Sequence, residues 1–163
     1  MVAVLMISFA GSAMAARMAC DGGNCTGTRF IDVMTGSNRI DRMYGLGGND
    51  RMTGGYNNDV MSGAAGSDNM SGSFGYDRLY GGSSADVISG GLANDRIFAG
   101  PGVDTVNGNA GNDYIVIAGD NRDDSVDCGT GNDVLVLDLD EMTPPVFADF
   151  VRQTSCEDLK VRP

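Results

Sequence analysis

An aspartate that returns at every ninth residue constrains this chain more than any other feature of its sequence. The series runs without a gap from Asp32 to Asp113, and Asp124 and Asp133 repeat the interval after a shift of two residues. A fixed period over so many repeats is typical of a solenoid, in which each repeat packs only against its neighbours. We therefore expect one repetitive domain rather than an ordinary globular core.

Each nonapeptide combines a turn with a very short strand. The residues before each aspartate are rich in Gly, Asn and Ser, which favour tight turns and tolerate positive φ. The three residues after it have an apolar centre between polar flanks, which predicts a strand with one side chain pointing inward. Because methionine is a compliant core filler, we assign the whole apolar series to the core: Met34, Met43, Met52, Met61, Met70, Leu79, Ile88, Ile97, Val106, Ile115, Val126 and Leu135.

If each turn reverses the chain, two nonapeptides form one complete coil. Stacked coils then make two parallel sheets around a thin apolar core, with aspartates in two rows. One enlarged turn at residues 118–122 absorbs the two extra residues and keeps both rows in register. The first edge of the stack carries Asp32, Asp50, Asp68, Asp86, Asp104 and Asp124, and the second edge carries Asp41, Asp59, Asp77, Asp95, Asp113 and Asp133.

The composition indicates which partners such a stack attracts. The 163 residues include 20 Asp, 2 Glu and no His, and the net charge is -11. So acidic a chain repels nucleic acid and anionic membranes, so that cations are its natural partners. Without histidine, and with its cysteines expected to be paired, the chain offers few good ligands for transition metals.

The stacked carboxylates predict calcium. At the interstrand spacing of ~4.8 Å, two charges repel by ~3 to 4 kcal/mol at an effective dielectric of 20. Ca²⁺ accepts six to eight carboxylate and carbonyl oxygens without strict geometry, whereas Mg²⁺ requires a tight octahedron. The alternative is a metal-free solenoid in which aspartate serves only as a turn residue, although Asn or Ser would serve a turn without stacking charge.

The repeats GLGGND, GAAGSD and GNAGND, each followed by an apolar residue two positions on, resemble the G-G-x-G-x-D-x-U-x motif of RTX, or haemolysin-type, calcium-binding repeats. The resemblance covers residues 27–135 and implies an all-β, right-handed parallel β-roll that holds several Ca²⁺ ions. It implies that the metal-binding residues are Asp50, Asp59, Asp68, Asp77, Asp86, Asp95, Asp104, Asp113 and Asp133, with turn glycines Gly48, Gly66, Gly75, Gly102 and Gly111.

Some turns lack the second glycine of the motif. Arg39 and Arg122 would place a cation beside the site, so we expect the turns before Asp41 and Asp124 not to bind. Asn57 can adopt left-handed geometry. Only one of the four turns on the first edge before Asp50, Asp68, Asp86 and Asp104 lacks this glycine. The first edge is therefore predicted to bind calcium better than the second. The other two residues that replace the second glycine of the motif are Ser84 and Ala93.

The first fifteen residues predict a secretory signal peptide, because an apolar run ends in small residues, with Ala13 and Ala15 placed for cleavage. The alternative is a buried first strand. Residues 16–26 then form a short lead-in to the roll. The apolar run is shorter than the ~20 residues that a membrane-spanning helix needs.

The four cysteines predict two disulfides in an exported chain. Pairing Cys20 with Cys25 and Cys128 with Cys156 is one of three connectivities. A four-cysteine zinc site is disfavoured because neither pair has C-x2-C spacing. After the strand at residues 134–139 the repeat ends, and residues 136–163 are interpreted as a C-terminal cap that covers the last coil.

The tail, DSVDCGTGNDVLVLDLDE with a later CEDL, is similar to the ends of small exported RTX-like proteins. A stand-alone, secreted, non-enzymatic calcium-binding monomer is therefore predicted, folding as it binds Ca²⁺. Catalysis is disfavoured because equivalent aspartates do not separate their pKa values as an acid and base require.

A glycan, ice or surface-binding module built on the roll is the alternative function. Ice binding is disfavoured because the residues that follow the aspartates form no regular Thr or Asn lattice. Glycan binding has a candidate site, because the arginine row that includes Arg42, Arg78 and Arg96 could bind an acidic glycan. One face holds Val33, Arg51, Asn69, Val87 and Thr105, and the other holds Arg42, Val60, Arg78, Arg96 and Tyr114.

Overall fold

The computed structural model describes residues 4–5, 16–118, 123–138 and 151–162, and all regular structure in these ranges is β-strand. This confirms the predicted all-β class. In chain order the strands are β1 Val4–Leu5, β2 Ala16–Ala19, β3 Gly23–Thr26, β4 Asp32–Thr35, β5 Asp41–Gly47, β6 Arg51–Gly55, β7 Val60–Ala65, β8 Asn69–Phe74, β9 Arg78–Ser83, β10 Val87–Leu92, β11 Arg96–Phe98, β12 Thr105–Ala110, β13 Tyr114–Ala118, β14 Asp124–Asp127, β15 Val134–Asp138, β16 Val151–Thr154 and β17 Asp158–Arg162.

Successive strands alternate between two sheets, as a coil of two nonapeptides requires. One sheet, which we call sheet A, has the order β1-β2-β4-β6-β8-β10-β12-β14-β16, and the other, sheet B, has the order β3-β5-β7-β9-β11-β13-β15-β17. From β2 onward every pairing is parallel, whereas β1 pairs antiparallel with β2. The molecule is therefore a parallel β-solenoid, which confirms the predicted fold class.

The register confirms the coil length. Ile88 pairs with Met70, two nonapeptides earlier, and with Val106, two nonapeptides later. Beyond that point Val106 pairs with Val126 and Ile115 pairs with Leu135, so each of these separations exceeds two nonapeptides by the shift of two residues. The two extra residues thus lie within one coil, and the stack continues in register on both sheets.

The core is the predicted ladder of apolar side chains. Each of the twelve apolar residues named from the sequence is no more than 1 % exposed. Burying a side chain of this size contributes ~1.5 to 3 kcal/mol. Since the coil is thin, this one side chain per nonapeptide supplies most of the apolar packing between the sheets, together with Met18, Ile117 and the cysteines.

The strands are longer than the predicted three residues, because pairing continues through the glycines that follow. Strand β5, for example, runs from Asp41 to Gly47 and has the burial pattern of alternating inward and outward residues. Side chains two apart in a strand share a face. Asp41, Met43 and Gly45 therefore all face inward, and the aspartate row lies inside the roll rather than on its surface.

The chain ends extend the two sheets. Strands β16 and β17 pair parallel with β14 and β15, so residues 151–162 add a strand to each sheet. Two disulfides are present, as predicted, and of the three possible connectivities they have the local one, Cys20 with Cys25 and Cys128 with Cys156. The signal-peptide prediction concerns residues that, apart from β1, lie outside the described ranges, as do residues 139–150 of the predicted cap. Both stay predictions.

Candidate metal centre

One oxygen of each aspartate carboxylate is used to hold adjacent coils together. The backbone N–H of Asp50 donates to Oδ1 of Asp68, and the N–H of Asp68 donates to Oδ1 of Asp86, at 2.7 and 2.8 Å. The second edge repeats this arrangement from Asp41 to Asp133, with N···O distances of 2.7 to 2.8 Å. The aspartates are 0 to 3 % exposed. The ladder is therefore a buried, structural hydrogen-bond chain along each edge.

The second oxygen of most of these carboxylates is buried without a hydrogen-bond partner among the described residues. A buried carboxylate oxygen in that state carries a large desolvation cost, and such groups normally pair with a cation or become protonated. The unpartnered oxygens occur along both edges of the roll. They are Oδ2 of Asp50, Asp59, Asp68, Asp77, Asp86, Asp95, Asp113 and Asp133.

Seven of these eight unpartnered oxygens, all except that of Asp133, lie against a glycine five positions earlier. A β-carbon built on Gly54 would stand 2.5 Å from Oδ2 of Asp59 and 2.7 Å from the carbonyl oxygen of Gly72 in the next coil. At Gly90 the corresponding distances are 2.5 Å to Oδ2 of Asp95 and 2.8 Å to the oxygen of Gly108. Because glycine has no β-carbon, a carboxylate oxygen and a carbonyl oxygen from adjacent coils approach each other closely beside it.

Burial changes the acidity of the ladder. It raises the pKa of Asp95 to about 8, against the lowering effect of the N–H of Asp77, and the charges of Asp77 and Asp113 raise it further. For the same reason the pKa of Asp59 and of Asp86 is about 7. Without a cation, several of these carboxylates therefore titrate near neutral pH instead of near pH 4. Asp50, Asp77 and Asp113 have pKa values raised to about 6.

The first two turns differ from the later ones. The second oxygen of Asp32 accepts from the N–H of Thr28 at 2.6 Å, and that of Asp41 accepts from the N–H of Ser37 at 2.8 Å. Both hydroxyls also donate to these carboxylates. Arg39 forms an exposed ion pair with Asp21 at 3.5 Å. These turns satisfy their carboxylates internally, and the turn before Asp41 does so through Ser37, whereas Arg39 pairs with Asp21 at the surface.

The later turns keep one backbone shape despite their sequence differences. Gly48, Gly66, Gly75 and Gly111, two residues before an aspartate, have φ between 101° and 144°. Asn57, Ser84 and Ala93 occupy the same position and also have positive φ, from 71° to 83°. The irregular turns before Asp59, Asp86 and Asp95 therefore keep the left-handed conformation. Gly102 is the exception among the predicted glycines, since its φ is not positive.

Two sets of residues at the candidate metal centre were not assigned to it from the sequence. The first is the row of glycines five residues before the aspartates, visible as a second nine-residue period interrupted only by Ala99 and, after the shift, Cys128. The second is Glu157, whose Oε2 accepts from the N–H of Asp133 at 2.8 Å and so continues the second edge. The signal was Glu157-Asp158-Leu159, in which Glu replaces Asp in the repeat. The glycine row is Gly27, Gly36, Gly45, Gly54, Gly63, Gly72, Gly81, Gly90 and Gly108.

The donor set suits a hard cation. Among the described residues no three acidic or cysteine side chains converge closely enough to hold a metal by themselves. A site here must therefore combine carboxylates with backbone carbonyls, which is the ligand type that Ca²⁺ takes. The unpartnered Oδ2 atoms beside glycine carbonyls provide such oxygens, so the residues present fit calcium.

Comparison with known families decides the identity of the repeat. A model of the RTX calcium-binding nonapeptide repeat matches the chain in four copies, at residues 26–61, 35–70, 62–96 and 80–115. The chain belongs to this RTX repeat family. A search of curated proteins and a search of solved structures found no match.

Membership of the RTX family connects the geometry with calcium. The matched residues include the Asp50 to Asp113 part of both edges, where most of the unpartnered oxygens lie. RTX repeats imply a calcium-binding β-roll, and the stacked aspartate turns of this chain fit that property. Within the described ranges, no helix has the length and hydrophobicity needed to cross a membrane.

Proposed function

We propose that this chain is a secreted, non-enzymatic calcium-binding protein whose folding is coupled to Ca²⁺ bound between stacked Gly/Asp turns. The single observation that carries the proposal is the set of buried Oδ2 atoms that have no partner in the described structure. In most turns this oxygen packs against a glycine, whose missing β-carbon allows the close approach, next to a carbonyl of the following coil. Divalent cations bound beside these oxygens turn the main destabilising feature of the roll, its buried and unpartnered carboxylates, into a stabilising interaction.

The proposed ligands are the aspartates predicted from the sequence, together with turn carbonyls: Asp50, Asp59, Asp68, Asp77, Asp86, Asp95, Asp104, Asp113 and Asp133. The first two turns are left out because Thr28 and Ser37 already satisfy their carboxylates. Neighbouring carboxylates one strand spacing apart repel by ~3 to 4 kcal/mol at an effective dielectric of 20. Several such repulsions rival the ~5 to 15 kcal/mol stability of a domain, so the calcium-free roll is marginal or unfolded at neutral pH.

Secretion is proposed on three grounds. The apolar N-terminal run ends in small residues suited to cleavage. The two disulfides are typical of chains that mature in an oxidising compartment. Extracellular calcium is also abundant enough to fill sites of millimolar affinity, which is the range of extracellular calcium modules.

A calcium titration with chelator reversal tests the proposal. The mature chain, starting at residue 16, is followed by circular dichroism while Ca²⁺ is added and then removed with EGTA, and bound calcium is counted by equilibrium dialysis. We expect strand signal to appear with calcium, several ions per chain, and loss of the signal in EGTA. An equally strand-rich chain in EGTA with no ion bound in calcium would overturn the proposal.

A further inference from the structure

A groove runs along the second edge of the roll, between two columns of exposed side chains. Its volume is about 540 Å³, within the ~300 to 1,000 Å³ range of small-molecule sites. One wall is a column of residues that directly precede an aspartate in the sequence, and it includes Tyr76, Asn94 and Asn112. The other wall is a column of residues that directly follow an aspartate, and it includes Arg78 and Arg96. The groove exists because the aspartates between the two columns point into the core.

Two arginines lie side by side in the groove wall. Arg78 and Arg96 are direct partners in the parallel register of β9 and β11, so their backbones lie one strand spacing apart, at ~4.8 Å. Both are exposed, and neither forms an ion pair in the part of the chain that the structure describes. Like charges directly opposite each other on neighbouring strands are unfavourable. An anionic ligand that bridges the two guanidinium groups would remove this repulsion.

The remaining walls carry groups suited to a sugar. Tyr76 is 59 % exposed, so its ring presents a flat apolar face, and Tyr114 lines the end of the same groove. The amide groups of Asn94 and Asn112 stand in one column, where the N–H of Asn112 donates to Oδ1 of Asn94 at 2.8 Å. Their side-chain N–H groups are free donors for hydroxyls among the described contacts.

We propose that this groove binds an acidic oligosaccharide, with Arg78 and Arg96 holding its carboxylates and Tyr76 stacking against a sugar ring. Four coils contribute to the walls, which gives a length of ~14 Å at the interstrand spacing, enough for a short oligosaccharide. Arginine is the side chain best suited to bidentate carboxylate recognition. The other edge has no equivalent, because its outward column there is Val33, Arg51, Asn69, Val87 and Thr105.

This inference rests on the proposed calcium binding, because the groove floor is formed by Asp59, Asp77 and Asp95 of the ladder. Under that proposal the calcium-free roll is marginal or unfolded, so the two walls of the groove are held together only when calcium is bound. Binding of the oligosaccharide is therefore expected only in calcium.

The test uses trigalacturonic acid as the acidic probe, maltotriose as the neutral probe and triglutamate as an acidic peptide, each titrated calorimetrically into the mature chain in calcium. We expect the acidic trisaccharide to bind and the other two not to bind. The double variant Arg78→Ala with Arg96→Ala should lose at least about tenfold in affinity, since a hydrogen bond to a charged group contributes ~1.5 kcal/mol or more. The matched control Arg51→Ala, an exposed arginine on sheet A, should bind as the wild type does.

Three results would overturn the inference: no binding by calcium-loaded, folded wild type, equal losses in Arg51→Ala and the double variant, or triglutamate binding as tightly as the trisaccharide. Circular dichroism of the variants in calcium establishes that each is folded. Failure of the calcium proposal has a different signature, because the chain would then be strand-rich in EGTA. Trisaccharide binding in EGTA would contradict only the calcium dependence of the groove.

Discussion

At the scale of single residues, each ladder aspartate divides its work between two oxygens. Oδ1 accepts the N–H of the aspartate in the preceding coil, whereas Oδ2 faces the position five residues earlier, usually a glycine. The first contact is available with or without metal, and the second becomes favourable only with a cation or a proton. A substitution that removes only one of the two oxygens therefore distinguishes an effect on folding from an effect on calcium binding.

Replacing Asp68 with Asn should weaken calcium binding without removing the ladder bond. Asparagine keeps an oxygen for the N–H of Asp50 but places an NH₂ group, which cannot ligate Ca²⁺, at the Oδ2 position. We expect the calcium midpoint of folding, measured by circular dichroism, to rise about tenfold, equivalent to ~1.4 kcal/mol. Asp123→Asn is the control, because Asp123 is an exposed aspartate outside the ladder. Equal midpoints for wild type and Asp68→Asn would show that Asp68 is not a ligand.

Replacing Gly54 with Ala should destabilise the calcium-loaded roll. The new methyl group would stand 2.5 Å from Oδ2 of Asp59 and 2.7 Å from the carbonyl oxygen of Gly72, which is closer than real contacts allow. We expect a loss of ~1 to 3 kcal/mol in the free energy of unfolding, the usual cost of overpacking. The measurement is denaturant unfolding in saturating calcium.

Gly47→Ala is the matched control for Gly54→Ala. Its nearest neighbour, the carbonyl oxygen of Ala65, would be 3.6 Å from the methyl group, an ordinary contact, and neither glycine has a left-handed φ. We expect its stability to stay within ~0.5 kcal/mol of wild type, as for most surface substitutions. If both variants lose the same stability, the space beside Asp59 has no special role.

At the scale of strands and coils, stability is local because each coil contacts only its neighbours. The last coil is attached by β16 and β17, by the bond from the N–H of Asp133 to Glu157, and by the Cys128–Cys156 disulfide. The disulfide precedes Glu157 directly in the chain. It therefore holds this last carboxylate of the second edge against Asp133.

Removing the Cys128–Cys156 disulfide should release the last coil and leave the middle of the roll intact. In the double variant Cys128→Ser with Cys156→Ser, we expect faster amide hydrogen exchange in β15 to β17, with a loss of ~2 to 4 kcal/mol of local protection. Strands β7 to β10 should exchange as in wild type. The control replaces Cys20 and Cys25 with Ser at the other end. Uniformly faster exchange along the chain would contradict this local model.

At the scale of the whole molecule, calcium and protons compete for the same buried carboxylates. Without calcium, burial raises the pKa of ladder aspartates from the ordinary 3.8 to about 6 to 8. The folded state then binds more protons than the unfolded state between pH 4 and 8, so its stability falls as pH rises through this window. The calcium-loaded roll should behave in the opposite sense, because protons displace the ion at low pH.

Thermal unfolding of calcium-depleted protein at pH 4, 6 and 8 measures this effect. We expect the midpoint to be highest at pH 4 and lowest at pH 8, and the order to reverse in millimolar calcium. Passing the protein over a chelating resin avoids the pH dependence of EGTA itself. A calcium-free midpoint that increases from pH 4 to pH 8 would contradict the raised pKa values of the ladder.

The strict nine-residue period was sufficient to predict the class of fold, the coil of two nonapeptides and the apolar core, because period and hydrophobic position alone determine which residues face inward in a stacked strand. The absorption of two extra residues by one coil was predicted on the same basis, and the pairing of Val106 with Val126 confirms it. The two predicted disulfides are also present, in one of the three connectivities that the sequence left open. These features depend on the spacing of residues along the chain, which is known from the sequence alone.

Only the tertiary structure decided how each carboxylate is used. Asp32 and Asp68 are equivalent in the repeat, yet Thr28 bonds both oxygens of one, while Oδ2 of the other is buried without a described partner. Likewise, Glu157 joins the second edge by accepting the N–H of Asp133, which its place in the sequence did not predict. Such differences arise from contacts between coils. The sequence by itself determines the period of the stack, whereas burial and cross-coil distances determine which of its oxygens remain for a cation.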